Sequence, residues 1–583
     1  MFVFGVHCHQ PIGNFDYVFE EAYQKAYKPL IDFFYLHDDF KFSVHFSGIL
    51  LEWLLNHEND FIEKLKVMVQ RHQIEIIGGG YYEPILATIS RKDRALQIEK
   101  LNTFCQDILG QKPKGIWLTE RIWDTSVLQT IAELSMDYII LDDYHIMASG
   151  YQFEEGFYMT EDEGKKIYLV PIDKRLRYKI PFDTPKNVVD FIKSQKTSII
   201  IDDGEKFGIW PHTYQTVYEE RWLDRFYELL KEEHIPIKTI SEALELSSKR
   251  LAYPACVSYE EMGHWALNPD DGVLYQEAKE HCQAYTKFIK GGVWKNFFTK
   301  YKESNYMHKR MMEVSKKTRS EKTKDIILRA QCNDAYWHGI FGGIYFPHLR
   351  REIWNHIIKA DFQNASEEKL IEDIDFDGLL EIKLKTNDFI LVTSENGLIK
   401  ELSHKTKGNL NVCLSRYKEF YHFTTEGKQD GKTIHELKKD IGKYKDLISY
   451  DNKPRFFSYD DIAWSFEELK DDAIAFKNAN NQKILKIEKN KFILEYNLKD
   501  TTQVDINLGI HSLNIDPYEV EKDNLSFEAF EIGKININFS KSTKIHVYPI
   551  KTVSQSEKDF DVITQGICVN FLAGGELSIE ISC

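Results

Sequence analysis

The chain has 583 residues, several times the length of an ordinary domain, which excludes a single small module. Lys plus Arg number 75 against 91 Asp plus Glu, a formal charge of −16 and the wrong sign for a binder of phosphate backbones. Hydrophobic residues make up 43%, enough for a large core, and no apolar run approaches the roughly 20 residues that cross a bilayer, so neither nucleic acid nor membrane is an expected partner.

Residues 1–7 lack the basic and apolar stretches of a leader and read as the start of a strand. The 8 Cys are scattered without a C-x-x-C pair, so free thiols and a cytoplasmic location are expected. Through the first 250 residues short apolar runs at 2–6, 42–46, 74–77, 115–118, 138–141, 198–201 and 235–240 alternate with amphipathic stretches. One such stretch, 21–34, places Ala22, Ala26, Leu30 and Phe33 on one helical face. Alternating β and α units predict a parallel sheet, and seven of them predict a barrel. From 273 to 317 and again over 348–359 the pattern is helical; beyond about 366 it changes to period two, as in Leu380-Glu-Ile-Lys-Leu384 and Leu577-Ser-Ile-Glu-Ile581, the mark of antiparallel sheets with one polar face. The expected organisation is a barrel over 1–272, a helical subdomain over 273–365 and a β-sandwich over 366–583.

Catalytic groups of such barrels follow the strands. After the first run comes His7-Cys-His9-Gln10-Pro11; after the third, Gly78-Gly79-Gly80-Tyr81-Tyr82-Glu83-Pro84; after the fourth, Trp117-Leu-Thr-Glu120-Arg121-Ile-Trp123; after the sixth, Asp202-Asp203-Gly-Glu205-Lys206-Phe-Gly-Ile-Trp210. His7-x-His9 is also a zinc pair in principle, because alternate strand residues point the same way. His45 falls in or at the end of the second run and the fifth offers Asp142, Asp143 and His145, but the third, fourth and sixth bring Glu83, Glu120 and Asp203, a mouth rich in carboxylates, poor in His and well suited to glycoside chemistry, which uses two carboxyl groups around one bond. No metal and no cofactor are expected. The glycine run matches neither a P-loop nor a dinucleotide fingerprint. Each motif alone also has a plain reading, such as a solvated turn for Asp202–Glu205, a surface ion pair for Glu120–Arg121, or core packing for most of the 10 Trp, 31 Tyr and 37 Phe.

Taken in order, His9-Gln10-Pro11, Gly79-Gly80-Tyr81-Tyr82-Glu83-Pro84, Trp117-Leu118-Thr119-Glu120-Arg121, Asp202-Asp203-Gly204-Glu205-Lys206-Phe207-Gly208 and Asn333-Asp334-Ala335-Tyr336-Trp337-His338-Gly339 resemble the five motifs of glycoside hydrolase family 57, in particular its branch of 4-α-glucanotransferases and α-amylases. The resemblance implies an incomplete (β/α)7 barrel, a helical segment completing the cleft, and a C-terminal β-sandwich. It implies Glu120 as nucleophile and, because the family's aspartate directly precedes Gly-Glu, Asp203 rather than Asp202 as acid/base. It assigns His9, Glu83, Glu205 and Asp334 to substrate binding or support, and Trp117, Trp210 and Trp337 to glucose subsites; Tyr81, which the tight glycine turn is expected to aim at the cleft with Glu83, is a further substrate-binding candidate. The implied substrate is an α-1,4-glucan and the implied assembly a homodimer. Asp124-Thr125 departs from the Glu-Pro usual in this branch, which concerns a subsite. Plain hydrolysis, a metal-dependent hydrolase and a non-catalytic glucan binder are the competing expectations.

Overall fold

The computed structural model describes residues 1–340, 342–423, 439–557 and 559–582. Its first part is built on β1 (Phe2–Cys8), β2 (Phe42–Phe46), β3 (Ile74–Ile77), β4 (Gly115–Trp117), β5 (Tyr138–Asp142), β6 (Phe157–Asp162), β7 (Lys165–Ile172), β8 (Ser198–Asp203), β9 (Ile237–Lys238) and β10 (Lys249–Leu251). Every residue of β1, β2, β3, β4 and β5 is buried, as expected of strands covered on both faces. Seven parallel strands run in the order β8-β1-β2-β3-β4-β5-β7. A single bridge, Gly78 to Ile116, joins β3 to β4. Between β7 and β8 one backbone bond, from the Asp173 N–H to the Ile199 carbonyl at 2.9 Å, marks the seam of an incomplete barrel. Val3, Ile77, Trp117, Ile140, Val170, Ile172, Ile199 and Ile201 share one core cluster with Ile240 and Leu244 of the helix Ile240–Leu246.

The seventh strand is β7, not the 235–240 run. That run gives only the two residues of β9, which pair with the first residues of β1, before the helix Ile240–Leu246 begins at a Thr239 cap whose side chain accepts from the Glu242 N–H. β7 opens on Lys165-Lys166 and contains Pro171, neither of which reads as an interior strand. The proline fits because the Tyr168 N–H bonds toward β5, to the Asp137 carbonyl, so by alternation residue 171 turns its nitrogen toward the nearly unbonded seam.

Outer helices bury one stripe each. Asn59–Gln70, for example, buries Phe61, Ile62, Leu65, Met68 and Val69 at helical spacing. The helices Lys302–Lys317, Glu321–Arg329 and Pro347–Asn364 pack together beside the barrel mouth. Between the last two, the Asn333 N–H and its side-chain amide both donate to the Glu83 carbonyl, at 3.1 and 3.0 Å, which fixes the following turn, Asp334–Tyr336, over the rim. Beyond this, among the described residues, thirteen antiparallel strands form one continuous network that folds over a single apolar core, as a sandwich does. Its longest members, Lys491–Leu508, Gly533–Gln555 and Phe560–Ser582, carry register shifts at their bends. Among the described residues no helix is long and apolar enough to cross a membrane.

Candidate active site

The C-terminal ends of β1, β4 and β8 open onto a cavity of about 740 Å³. β8 ends on two aspartates that part company because successive strand residues point to opposite sides. Asp202 is buried against the Lys206 ammonium at 2.6 Å and the Arg177 guanidinium at 3.4 Å. Asp203 lines the cavity. Glu120 sits in the turn Thr119–Arg121 directly after β4, in left-handed backbone with φ 51°, and Arg121 follows at φ 49°. Such a conformation is disfavoured for non-glycine residues and persists only where the surroundings over-determine it. Here they do. Ser258 Oγ donates to the Glu120 carbonyl, Arg121 pairs with Asp142 at 2.6 Å, and the Trp123 N–H and indole N–H bond the carbonyls of Val257 and Pro254. The non-repetitive segment 254–259 thus clamps the turn. From it Tyr259 donates its hydroxyl to Glu120 Oε2 at 2.8 Å, while the Arg121 guanidinium lies over the Tyr259 ring.

Burial raises the pKa of both carboxyl groups, each against a different set of neighbours. For Glu120 the opposing influences are the adjacent Arg121 charge and the Tyr259 hydrogen bond, both favouring the anion. For Asp203 the next influence after burial is the charge of Asp202, which favours retention of the proton. Asp202 supplies that charge because, in spite of burial, Lys206 and Arg177 hold its pKa down at about 2. One carboxylate is therefore held ionised behind another to keep a proton on it, the division of roles that acid/base chemistry on two carboxyl groups demands.

Eight of the residues assigned from the sequence line this cavity: His9, Trp117, Glu120, Asp203, Glu205, Trp210, Asp334 and Trp337. His9, just after β1, joins the end of β8 to the turn Asp334–Tyr336. Its backbone N–H donates to Glu205 Oε1 at 3.0 Å, and its Nε2 meets Asp334 Oδ2 at 3.1 Å. Although burial opposes it, the Asp334 carboxylate raises the His9 pKa well above the ordinary histidine value. Glu205 also accepts from the Tyr27 hydroxyl, and burial together with the Asp203 charge pushes its pKa up to about 7. Trp337 is stacked near Trp265 with centroids 6.2 Å apart and donates its indole N–H to Asn333 Oδ1 at 2.7 Å.

Tyr81 is the correction. It does not line the cavity. Its ring packs against Gly48, where a Cβ would lie 2.5 Å from the ring atoms, its hydroxyl donates to Glu52 at 2.9 Å, and the Lys100 ammonium covers its face at 4.3 Å. Glu83 is likewise buried away from the cavity, at φ 51°, accepting from Thr119 Oγ1 at 2.9 Å. Asp124, the departure from the family pattern, caps the turn Thr125–Val127 by accepting from the Ser126 N–H and does not line the cavity.

Four kinds of lining residue escaped the sequence reading. Arg177 follows β7, the strand that was not expected. Tyr259 and Trp265 lie in and after the clamp segment. Phe15 and Tyr17, exposed and stacked with centroids 5.6 Å apart, follow the first motif. Ser556, Glu557, Asp559 and Asp561 reach the rim from the C-terminal sheet domain. Only Phe15 and Tyr17 have a visible signal, their closeness to a motif. Two groups at the rim have the composition of metal ligands, His7/His45/Glu83 and His9/Cys332/Asp334. In the second, Asp334 Oδ2 already accepts from the Cys332 thiol at 3.2 Å and meets His9, so its donors satisfy one another.

A barrel rim with two carboxyl groups of raised pKa facing one cavity beside indole rings defines a carbohydrate-active enzyme of the glycoside-bond class. The family model described as glycosyl hydrolase family 57 matches residues 3–255, and the models of the middle and C-terminal domains of α-amylase/4-α-glucanotransferase match 292–363 and, in two segments, 373–471 and 467–581. The 4-α-glucanotransferase of Thermococcus kodakarensis is 38% identical, covering 100% of this chain and 98% of that protein, and an α-amylase of Pyrococcus furiosus is 38% identical over 97% and 96%. The crystal structure of the 4-α-glucanotransferase from Thermococcus litoralis superposes with a TM-score of 0.92 at 36% identity, covering 100% of this chain and 99% of that one. The chain belongs to glycoside hydrolase family 57.

Proposed function

We propose that this protein is a retaining 4-α-glucanotransferase acting on α-1,4-glucans. The observation that carries the reading is that Glu120 and Asp203 line one cavity, Glu120 held by the Tyr259 hydroxyl beside Arg121 and Asp203 backed by the ionised Asp202. In the first half-reaction the Glu120 carboxylate attacks the anomeric carbon. The glycosidic bond breaks as Asp203 gives its proton to the departing oxygen, leaving a glucosyl ester on Glu120. In the second, the Asp203 carboxylate takes the proton of an acceptor 4-hydroxyl, whose oxygen displaces Glu120 and regenerates both groups. His9, Glu205 and Asp334 hold sugar hydroxyls, Trp117, Trp210 and Trp337 supply apolar faces for the sugar rings, and Glu83 supports the wall behind them. The names of the relatives support transfer, and some support the second reading, hydrolysis, in which water replaces the acceptor.

Incubation with maltotriose decides between them. Transfer gives a ladder of longer oligomers plus glucose with little gain in reducing ends, whereas steady growth in reducing ends with no ladder overturns transfer in favour of hydrolysis. The free, mostly buried thiols favour a cytoplasmic setting. A homodimer belongs to the same reading, and light scattering on the purified protein tests it.

A further inference from the structure

Behind the cavity wall three side chains from the ends of β1, β2 and the segment after β3 meet in a row. His7 lines the cavity. Its ring lies parallel to the Trp117 indole, 4.4 Å between centroids and 15° between planes, and its Nδ1 is 2.8 Å from His45 Nδ1. Two nitrogens at that distance share one proton, so one ring donates and the other accepts. On the far side, His45 Nε2 faces Glu83 Oε1 at 3.4 Å, both atoms are buried, and neither has any other hydrogen-bond partner. The other Glu83 oxygen accepts from Thr119 Oγ1, in the turn that carries Glu120. Room for the His45 ring comes from Gly79, where a Cβ would stand 2.8 Å from His45 Nε2, a physical reason for the middle glycine of the Gly78–Gly80 run.

We propose that His7, His45 and Glu83 form a proton wire whose cavity end is His7 Nε2 and whose buried end is the Glu83 carboxyl group, and that the wire sets whether His7 accepts from or donates to a sugar hydroxyl. With Glu83 ionised, His45 carries its proton on Nε2 toward Glu83, His7 carries its proton on Nδ1 toward His45, and His7 Nε2 presents a lone pair. A proton arriving at His7 Nε2 releases the Nδ1 proton to His45 Nδ1, which releases its Nε2 proton to Glu83 Oε1. One proton enters, one carboxylate becomes a carboxylic acid, and both rings end neutral with their tautomers reversed. His45 and Glu83 are thus positioning residues acting through His7.

The surroundings suit this division of charge. Burial lowers the pKa of both histidines, His45 to about 3, so neither ring readily holds a second proton. His9 and Arg121 add positive charge facing His7, and His9 does so facing His45. Burial raises Glu83 to about 7; His9 and the Thr119 hydrogen bond oppose the shift, and Asp334 and Glu120 reinforce it. A zinc ion fits less well, because two nitrogens bound tetrahedrally at 2.0–2.1 Å stand about 3.3 Å apart.

The sugar-facing part of this inference rests on the glucan reading; the proton positions do not. Neutron diffraction from deuterated crystals of the full chain at pH 5.5 and 8.5 reads them directly. At the higher pH deuterons are expected on His7 Nδ1 and His45 Nε2, and at the lower pH on His7 Nε2, His45 Nδ1 and Glu83. Unchanged deuterons, a doubly protonated ring, or a metal between the three side chains would each overturn the wire, whatever the maltotriose assay returns. In Glu83→Gln, Thr119 holds the amide oxygen, so the amide nitrogen faces His45 and locks the low-pH pattern at both pH values. Its kcat/KM for maltotriose is expected to fall roughly 10-fold above pH 7 and to lose the pH step that Glu83 causes, the size of one neutral hydrogen bond reversed. Glu83→Gln crystals that keep the wild-type pattern at pH 8.5 would contradict it.

Discussion

Two regions of this molecule bury several charges each, and they treat carboxyl groups in opposite ways. At the barrel rim Glu83, Glu120, Asp203 and Glu205 all have raised pKa values, with burial as the leading cause. Where the helices meet the C-terminal sheet, Asp361 is buried too, yet its pKa is held far below the usual carboxylate range. Three cations converge on it: Arg310 at 2.9 Å, Lys383 at 2.9 Å and Lys385 at 2.8 Å, all with fully buried side chains. Burial sets the cost of ionisation in both places, and the count of cations decides whether it is met. The junction is a neutralised clamp between elements far apart in sequence, since Arg310 also holds Glu401 at 2.8 Å. At the rim the cations are engaged elsewhere, Lys206 and Arg177 with Asp202, Arg121 with Asp142 and His9 with Asp334, and burial raises the carboxyl groups that remain.

The strongest way to break this contrast is to remove the rim carboxyl groups. Glu120→Gln is expected to lose the glycosyl ester and Asp203→Asn to lose about 10²- to 10⁴-fold in turnover, each with an unchanged circular dichroism spectrum. Near-wild-type activity in either removes the assignment. At the junction, Asp361→Ala leaves three buried cations under-paired and is expected to cost about 3–5 kcal/mol in denaturant unfolding, with little change in activity per folded molecule. Because the Asp361 pKa is depressed in the fold, its contribution is present above the unfolded value of about 3.9 and is lost as pH falls through the folded value. Unfolding midpoints at pH 7 and pH 2.5 should therefore show a smaller difference in Asp361→Asn than in the wild type.

Asp202→Asn sharpens the comparison from the other side. Removing the charge that favours the Asp203 proton should lower the Asp203 pKa and move the alkaline limb of the kcat/KM profile for maltotriose to lower pH. An unmoved limb would mean that burial alone holds the proton. The smallest expected effect belongs to an uncharged wall residue: Trp337→Ala should raise KM for malto-oligosaccharides by about 3- to 10-fold, the worth of one aromatic face, with kcat nearly unchanged.

The rim was readable where chemistry and local pattern coincide. Residues after β1, β4 and β8 are reached by counting apolar runs, and Glu120 and Asp203 fall on the cavity as strand-end residues should. Tyr81 departs from expectation because membership of a motif does not tell which way a ring points after a three-glycine turn. β7 was missed because its lysines and Pro171 mimic a loop, a disguise tolerated only at the barrel seam. Arg177 went with it.

By itself the sequence determined the alternation of parallel units, the change to antiparallel sheet near residue 366, and the residue types of the rim, because each is carried by local periodicity or by short motifs. Only the tertiary structure decided which carboxyl groups keep their protons. That depends on the Asp202–Lys206–Arg177 group behind Asp203, the Tyr259 hydroxyl on Glu120, and the His7–His45–Glu83 row, contacts that each join separate strand ends or loops. Electrostatic interactions inside a fold act through space over a few ångströms, and distance along the chain does not report them.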